Sequence, residues 1–486
     1  MSTIGITAFG LYLPRLRLRR RAMAEAMAWA APERVRAANG ERAMCAWDED
    51  PNTMAVAAAR SAMAMARRSA PASLRLASTT LPFSDRQNSA IVAAALRLPS
   101  PLETMDITSS QRAGTTALMD ALRSLAQPAL VVAAERQAPR PGSPQELVAG
   151  DGAAAFLLGS SDVMAELVAC HSASEDFVDH YRTAGQRFDV YWEERWIRDE
   201  GVARIVPTAI GEAVASAGMK IEDVDSLIFS APSPSWSVAT ARKCGIPDDR
   251  VVNPRLDVCG HTGAAHPLLL LADLLSRADA NKVIVVASFG QGCDVIVLRT
   301  TQRLAEVRRE TTLPSIAAGV AHDRYTQYLV TNDLLPFDWG RRAETAIHRP
   351  ISAAARHRDE TTSFVGGRCT RCGTVQFPAS RICVNPNCRA VDTQQPEPFS
   401  GKTGQLASVT ADWLTHTPQP PLRFGAVVFD GGGKIYCELV DATEDQAVAG
   451  QKVSMVFRIK WLDAATGNRT YGWKAAPMWP LPMQEE

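Results

Sequence analysis

The sequence predicts an α/β protein: a duplicated, layered α/β core followed by a cysteine-ligated ribbon and a small β-barrel. The order helix, strand, helix, strand–turn–helix, strand runs through residues 53–135 and is repeated between Arg204 and Thr300, and such duplication packs as two halves about a pseudo-twofold axis. The spacing Cys369-x2-Cys372-x10-Cys383-x4-Cys388 supplies four thiolates in two pairs, the donor set of a closed tetrahedral Zn²⁺ site. From Gly404 onward, short alternating runs separated by Gly turns have the pattern of a small barrel. The expected domains are 1–165 and 166–302 for the two halves, 303–365 for a helical connector, 366–392 for the ribbon and 393–486 for the barrel.

At 486 residues the chain is long enough for several domains. Lys+Arg and Asp+Glu are both 52, so charge gives no case for nucleic acid or an anionic membrane. No apolar run reaches the ~18–20 residues of a membrane span, and the start lacks a basic region leading into an apolar one. Ten cysteines, six of them scattered outside the ribbon set, fit a reducing compartment, and the expected location is the cytosol.

Residues 4–13 alternate as a strand and stop at Pro14-Arg15, after which the Arg-rich stretch to Ala30 turns helical. Pro51 with Asn52 or Thr53 opens a helix whose Ala and Met residues recur at core spacing. A strand over 74–82 and a helix over 84–98 lead to Asp106-Ile-Thr-Ser-Ser-Gln111-Arg-Ala-Gly114-Thr-Thr-Ala-Leu118. Here a β-branched approach gives way to small residues and then to helical spacing. Such a strand end aims backbone N–H groups and the positive end of a helix dipole at a bound anion or a polarised carbonyl. A strand over 128–135 and the small-residue strand Gly150–Ala155 complete the first half. The second half carries strands at 224–232, 254–258, 282–289 and 295–300, with a loop at 290–294, and its own small-residue turn at Cys259-Gly260-His261-Thr262-Gly263.

The 106–118 stretch resembles the nucleophile turn of the thiolase superfamily, in particular ketoacyl synthase III and HMG-CoA synthase. In that pattern Asp106, Gly114, Thr115, Ala117 and Leu118 match, and Gln111 stands where the acyl-accepting Cys belongs. The opening strand, the "DED..TMA" string and the "GDGAAA" strand are similar to the same family. The ribbon and barrel resemble the DUF35 proteins that partner thiolase-like subunits, which have a zinc ribbon and an OB-fold.

The resemblance implies a five-layer thiolase-like fold and a coenzyme A thioester, or an acyl-carrier-protein thioester, as substrate. It also implies structural Zn²⁺ on Cys369, Cys372, Cys383 and Cys388, a homodimer, and another thiolase-like protein as a candidate partner. The family's Glu is absent from Thr80–Asp85, and Ser230 stands near the place of its usual His. His261 falls where a side-chain donor to the thioester is expected, Cys259 beside it could be a displaced nucleophile, and Tyr325 is a feasible acid or base for C–C cleavage. Two readings stay open. One is an acyl-CoA enzyme that makes or breaks a C–C bond or transfers an acyl group without a Cys nucleophile, with decarboxylation and retro-aldol cleavage both included. The other is a non-catalytic acyl-CoA-binding or scaffold subunit.

Overall fold

The computed structural model describes residues 3–66, 70–308, 316, 318–340 and 350–478. The chain forms two compact units, one of residues 1–46, 50–93 and 98–325, the other of 47–49, 94–97 and 326–486.

In the first unit the strands are β1 (Gly5–Tyr12), β2 (Ser73–Ala77), β3 (Glu103–Ile107), β4 (Ala129–Arg136), β5 (Asp151–Gly159), β6 (Ala165–Ser174), β7 (Ser226–Phe229), β8 (Val283–Phe289) and β9 (Gly292–Thr300). They join in one sheet in the order β7-β8-β9-β6-β1-β5-β4-β2-β3. The duplication is visible in that order. From β1 outward the first half runs antiparallel to β5, antiparallel to β4, then parallel to β2 and β3. From β6 outward the second half runs antiparallel to β9, antiparallel to β8 and parallel to β7, with the bridge Leu227↔Val251 in the place of a fifth strand. The halves meet at the centre, where β1 and β6 pair antiparallel through Gly5↔Glu166 and Ile6↔Ala165.

The helices are α1 (Pro51–Met65), α2 (Asn88–Leu96), α3 (Ala113–Arg123), α4 (Ala203–Ser216), α5 (Pro234–Cys244) and α6 (His266–Leu275). Helix α1 begins at Pro51 because Asp50 caps it: its carboxylate accepts from the Thr53 N–H at 3.0 Å, while the Asp50 N–H donates to the Thr53 hydroxyl at 2.9 Å. The layering follows from contacts: α3 and α6 touch each other and strands of both halves, while α1 covers the outer face of the first half and α4 that of the second. Strand β5 is buried along its whole length, its first half a small-residue run, Gly152–Ala155, and its second the apolar Phe156, Leu157 and Leu158. At Gly10 a Cβ would lie 2.5 Å from the Ala58 carbonyl and the Ala62 nitrogen of α1, so that helix rests directly on strand backbone.

Three expectations are corrected. The strand expected at 254–258 is a helical turn, Leu256–Cys259, because Arg255 follows Pro254 in the left-handed region at φ 54°; the extended pairing there is a single bridge further upstream, at Val251. Leu16–Arg19 is a strand and not the start of a helix, since Leu16 and Leu18 alternate with Arg17, whose buried guanidinium donates to the Ala318 carbonyl at 2.7 Å; the helix begins only at Arg20. The connector is mixed: helix Gln302–Arg308 is followed by strand Val320–His322, parallel to Leu16–Leu18, and by helix Tyr325–Thr331. The connector calls at 309–315, 317 and 341–349 lie outside the described residues.

In the second unit Val365–Cys369 pairs with Val375–Gln376 and Gln394–Pro398 to carry the four cysteines. A five-stranded sheet follows in the order Lys434–Glu438, Leu422–Phe429, Thr403–Asp412, Lys452–Leu462, Arg469–Pro477. The bridge Leu439↔Ala475 brings its two edges together, so the sheet is nearly closed, as an OB-type barrel is.

Candidate active site

The two small-residue turns meet beneath the central sheet. A Cβ on Gly114 would sit 2.2 Å from the Ala264 carbonyl, so α3 and the second turn touch backbone to backbone. Ser109, just before Gln111, has φ 74°, a left-handed conformation that costs a non-glycine residue energy and is held by its surroundings. Those surroundings include the Ser110 hydroxyl donating to the Gly290 carbonyl at 3.0 Å, and Arg112 bound to Gly290 O at 2.9 Å and to Asp294 at 2.7 Å. Asp294 is buried and also takes the Ser172 hydroxyl at 2.6 Å. The turn is locked from behind.

In front of it lies a cavity of about 410 Å³ lined by Gln111, Gln137, Asp179, His180, Tyr191, Ser230 and His261 on its polar side. Its apolar side includes Ile197, Val202, Phe229, Trp236 and Phe289. Gln111 and His261, one from each turn, both face this space.

His261 is held from both nitrogens. Its Nδ1 accepts from the Gly263 N–H at 3.2 Å, so the ring proton sits on Nε2 and is donated to Ser230 Oγ at 2.8 Å. Burial pushes its pKa down to about 4, and the ring is neutral at neutral pH. The donor expected from His261 is therefore spent on Ser230. The Ser230 hydroxyl, which accepts that bond, keeps its own proton to offer to the cavity.

Gln111 touches His180: the two Nε2 atoms are 3.3 Å apart. His180 Nδ1 lies 3.0 Å from Asp179 Oδ2, and Asp179 is itself fixed by the Gln291 amide at 2.8 Å. Burial disfavours the charged imidazole, but Asp179, through its hydrogen bond and charge, and then Asp189 outweigh burial and hold the pKa above its ordinary value, with Arg182 opposing. The ring stacks on Tyr191 with centroids 5.5 Å apart. Gln111 Oε1 is buried with no hydrogen-bond partner among the described residues. Reading the sequence missed Asp179 and His180. The available signal was an Asp-His pair among aromatic residues in the long irregular segment between β6 and α4, the kind of connection that carries function more often than packing.

Two candidate residues are corrected. Cys259 is fully buried, does not line the cavity, and directs its thiol at the Arg255 and Gly260 carbonyls at 3.2 and 3.3 Å. Burial pushes that thiol up to about 12, which removes the thiolate a nucleophile needs. Tyr325 is also buried away from the cavity, its hydroxyl donating to both carboxylate oxygens of Glu146 at 3.0 and 2.9 Å. Neither side chain is placed to meet a ligand there. His266 is likewise structural: its Nδ1 accepts from the Thr262 N–H at 3.1 Å and its Nε2 donates to the Pro254 carbonyl at 2.9 Å.

The neutral histidines make a pH prediction. Burial pushes His261 to about 4 and His266 well below 6.5, so below pH 6.5 the unfolded chain takes up protons that the folded chain refuses. Their contribution to stability is full above the unfolded value and is lost as pH falls from about 6.5 towards 4. His180, raised, has the opposite sign and loses its contribution as pH rises above 6.5. The melting midpoint is expected to fall between pH 6.5 and 4, with a shallower pH slope in His266→Asn whatever that variant's absolute stability; equal slopes contradict the assignment.

In the second unit the sulfurs of Cys369, Cys372, Cys383 and Cys388 lie within 4.8 Å of one another, with Cys369···Cys388 at 3.9 Å and Cys372···Cys383 at 3.5 Å. Four thiolates at Zn–S distances of ~2.3 Å stand about 3.8 Å apart, so these residues fit the ion.

Residues 214–298 match the family described as 3-oxoacyl-[acyl-carrier-protein] synthase III C terminal, and residues 362–392 match the ChsH2 rubredoxin-like zinc ribbon domain. Over 340 residues the chain is 28% identical to hydroxymethylglutaryl-CoA synthase of Caldivirga maquilingensis, a match covering 67% of this chain and 96% of that one. Among solved structures it is similar to 3-oxoacyl-(acyl carrier protein) synthase III, FabH, of Pseudomonas aeruginosa PAO1, with TM-score 0.56 and 22% identity over 62% of this chain and 99% of that one. It is also similar to MvaS in complex with 3-hydroxy-3-methylglutaryl coenzyme A, with TM-score 0.57 and 18% identity over 72% of this chain and 95% of that one. The fold of the first unit is thiolase-like, and a zinc ribbon follows it in the same chain. No helix among the described residues is long and apolar enough to cross a membrane.

Proposed function

We propose that the chain is an acyl-CoA enzyme that makes or breaks a carbon–carbon bond, or transfers an acyl group, next to a thioester carbonyl without a covalent acyl-enzyme. One observation carries this reading: among the described residues no cysteine lines the cavity, and Gln111 faces it from the turn where the thiolase resemblance implies the acyl-accepting cysteine. An amide cannot accept an acyl group at that turn, whereas the polar groups opposite it can hold a thioester oxygen. Ser230, oriented by the neutral His261, is the donor for that oxygen, and it acts most strongly when negative charge develops there. Decarboxylation and retro-aldol cleavage both need only such an oriented donor and a proton carrier.

The apolar wall of Phe229, Trp236 and Phe289 supports a ligand site, since a cavity with a few convergent polar groups is what such a site requires, and turnover is what separates an enzyme from a non-catalytic acyl-CoA-binding subunit. The ribbon holds one structural Zn²⁺ on its four cysteines, leaving no open position for chemistry. We read the working form as a cytosolic homodimer that takes acyl-CoA or an acyl-carrier-protein thioester; a monomer in sedimentation velocity contradicts the dimer. The function is tested by incubating the full chain with acyl-, malonyl- and β-hydroxyacyl-CoAs and reading products by mass spectrometry. Turnover of at least one member is expected; binding without turnover of any member favours the scaffold reading.

A further inference from the structure

We propose that His180, held by Asp179 and facing the Gln111 amide, is the acid–base group that moves the α-proton of an acyl thioester bound in this cavity. The proposal rests on the acyl-thioester reading above and adds the residue that carries the proton.

Three observations support it. His180 lines the cavity beside Gln111, and Ser230 and His261 line the same cavity. With Nδ1–H donated to Asp179 Oδ2 at 3.0 Å, the lone pair of a neutral ring is on Nε2, on the side of Gln111. Gln111 then suits both states of the ring. Its N–H faces the neutral Nε2 at 3.3 Å, the long end for such a bond, and turning the amide over presents the otherwise unpartnered Oε1 to an imidazolium. Among the other polar cavity residues, the amides of Gln137 and Gln145, the neutral ring of His261 and the hydroxyls of Ser230 and Ser233 are poor proton carriers near neutral pH, burial raises Tyr191 far above the range where a phenol exchanges protons readily, Asp179 is bound to His180 itself, and the remaining carboxylate, Glu194, belongs to an exposed residue.

The step balances without a co-reactant. Nε2 takes the proton from the carbon next to the thioester. The C–H electron pair becomes the C=C bond of an enolate, and the carbonyl pair moves to the thioester oxygen, which accepts the Ser230 O–H. The imidazolium is held by Asp179, and returning the proton to the carbon restores the starting ring. Run in that direction, the same group protonates the enolate left by decarboxylation or retro-aldol cleavage. The charged groups facing the ring are Asp179 and Asp189, which favour its protonation, and Arg182, which opposes it; Tyr191 stacks on its face.

The test uses the full chain and hexanoyl-CoA in D₂O, with deuterium at the α-carbon read by mass spectrometry and binding read separately by calorimetry. The wild-type chain is expected to exchange. His180→Gln is expected to lose at least about 100-fold in exchange rate while binding hexanoyl-CoA as before. Exchange needs the neutral ring, so its rate rises through the imidazole pKa; Asp179→Asn removes the charge that favours the proton and is expected to move that midpoint to lower pH. This shift is a readout that a merely structural role for Asp179 would not give, and it stands if His180→Gln fails to fold. Exchange at the wild-type rate in His180→Gln, or an unmoved midpoint in Asp179→Asn, overturns the proposal and leaves the acyl-thioester reading standing. Binding without exchange by the wild-type chain also overturns it alone, whereas no binding to any thioester overturns both.

Discussion

His261→Ala is expected to lower kcat about 10²- to 10³-fold on whichever thioester the enzyme turns over, with little change in affinity for it. Removing a single oriented donor at a developing oxyanion costs on the order of 3–4 kcal/mol in the transition state, and a donor used mainly there leaves ground-state binding nearly intact. The imidazole acts through Ser230: its Nε2–H fixes the hydroxyl oxygen at 2.8 Å and leaves the hydroxyl proton for the substrate. Ser230→Ala is therefore expected to lose a similar factor, and the double variant little more than either single one, because the two residues form one donor. The comparison separates this account from one in which His261 touches the thioester itself, since then Ser230→Ala would leave most activity. Full activity in both single variants would place the oxygen-holding group elsewhere in the cavity.

The second large effect is on the ribbon. Purified protein is expected to carry about one Zn per chain, and a strong chelator or Cys372→Ser to unfold residues 362–392. Structural Zn²⁺ in small domains supplies roughly 10–16 kcal/mol of apparent binding free energy. Around the sulfurs the buried apolar cluster is only Cys369, Cys383 and Ala390, with Cys388 packed against it, whereas Phe364 and Phe377 pack on Phe399 away from the metal-binding end. Protection of amide hydrogens from exchange across 362–392 should collapse on metal removal while the central sheet of the first unit stays protected. A metal content near zero with an intact ribbon would contradict the assignment.

Much of this was legible in the sequence because it lies in repeats and spacings. The duplicated element order anticipated two halves in one layered core, though not that they pair through β1 and β6, and the four cysteines announced their cluster by interval alone. Gln111 was found by its place in a motif. What escaped depends on single dihedral angles or on contacts between distant segments. The left-handed Arg255 turned an expected strand into a helical turn, and the pairing of Leu16–Arg19 with Glu41–Met44 and Val320–His322 drew a strand from a run with helical composition. Asp179 and His180 belong to a segment with no period, and only the folded chain brings them to Gln111, 69 residues away. Cys259 shows the converse: proximity in sequence to His261 suggested reactivity, and burial removed it.

The central claim is that chemistry here proceeds without an acyl-enzyme, and intact-protein mass spectrometry during turnover tests it most directly. With an acyl-CoA that the chain consumes, quenched in acid within the first turnovers, the account predicts product in solution and an unshifted protein mass at every time point. A mass increase equal to the acyl group, mapped by peptide analysis to Cys259 or to any other residue of the first unit, would contradict it.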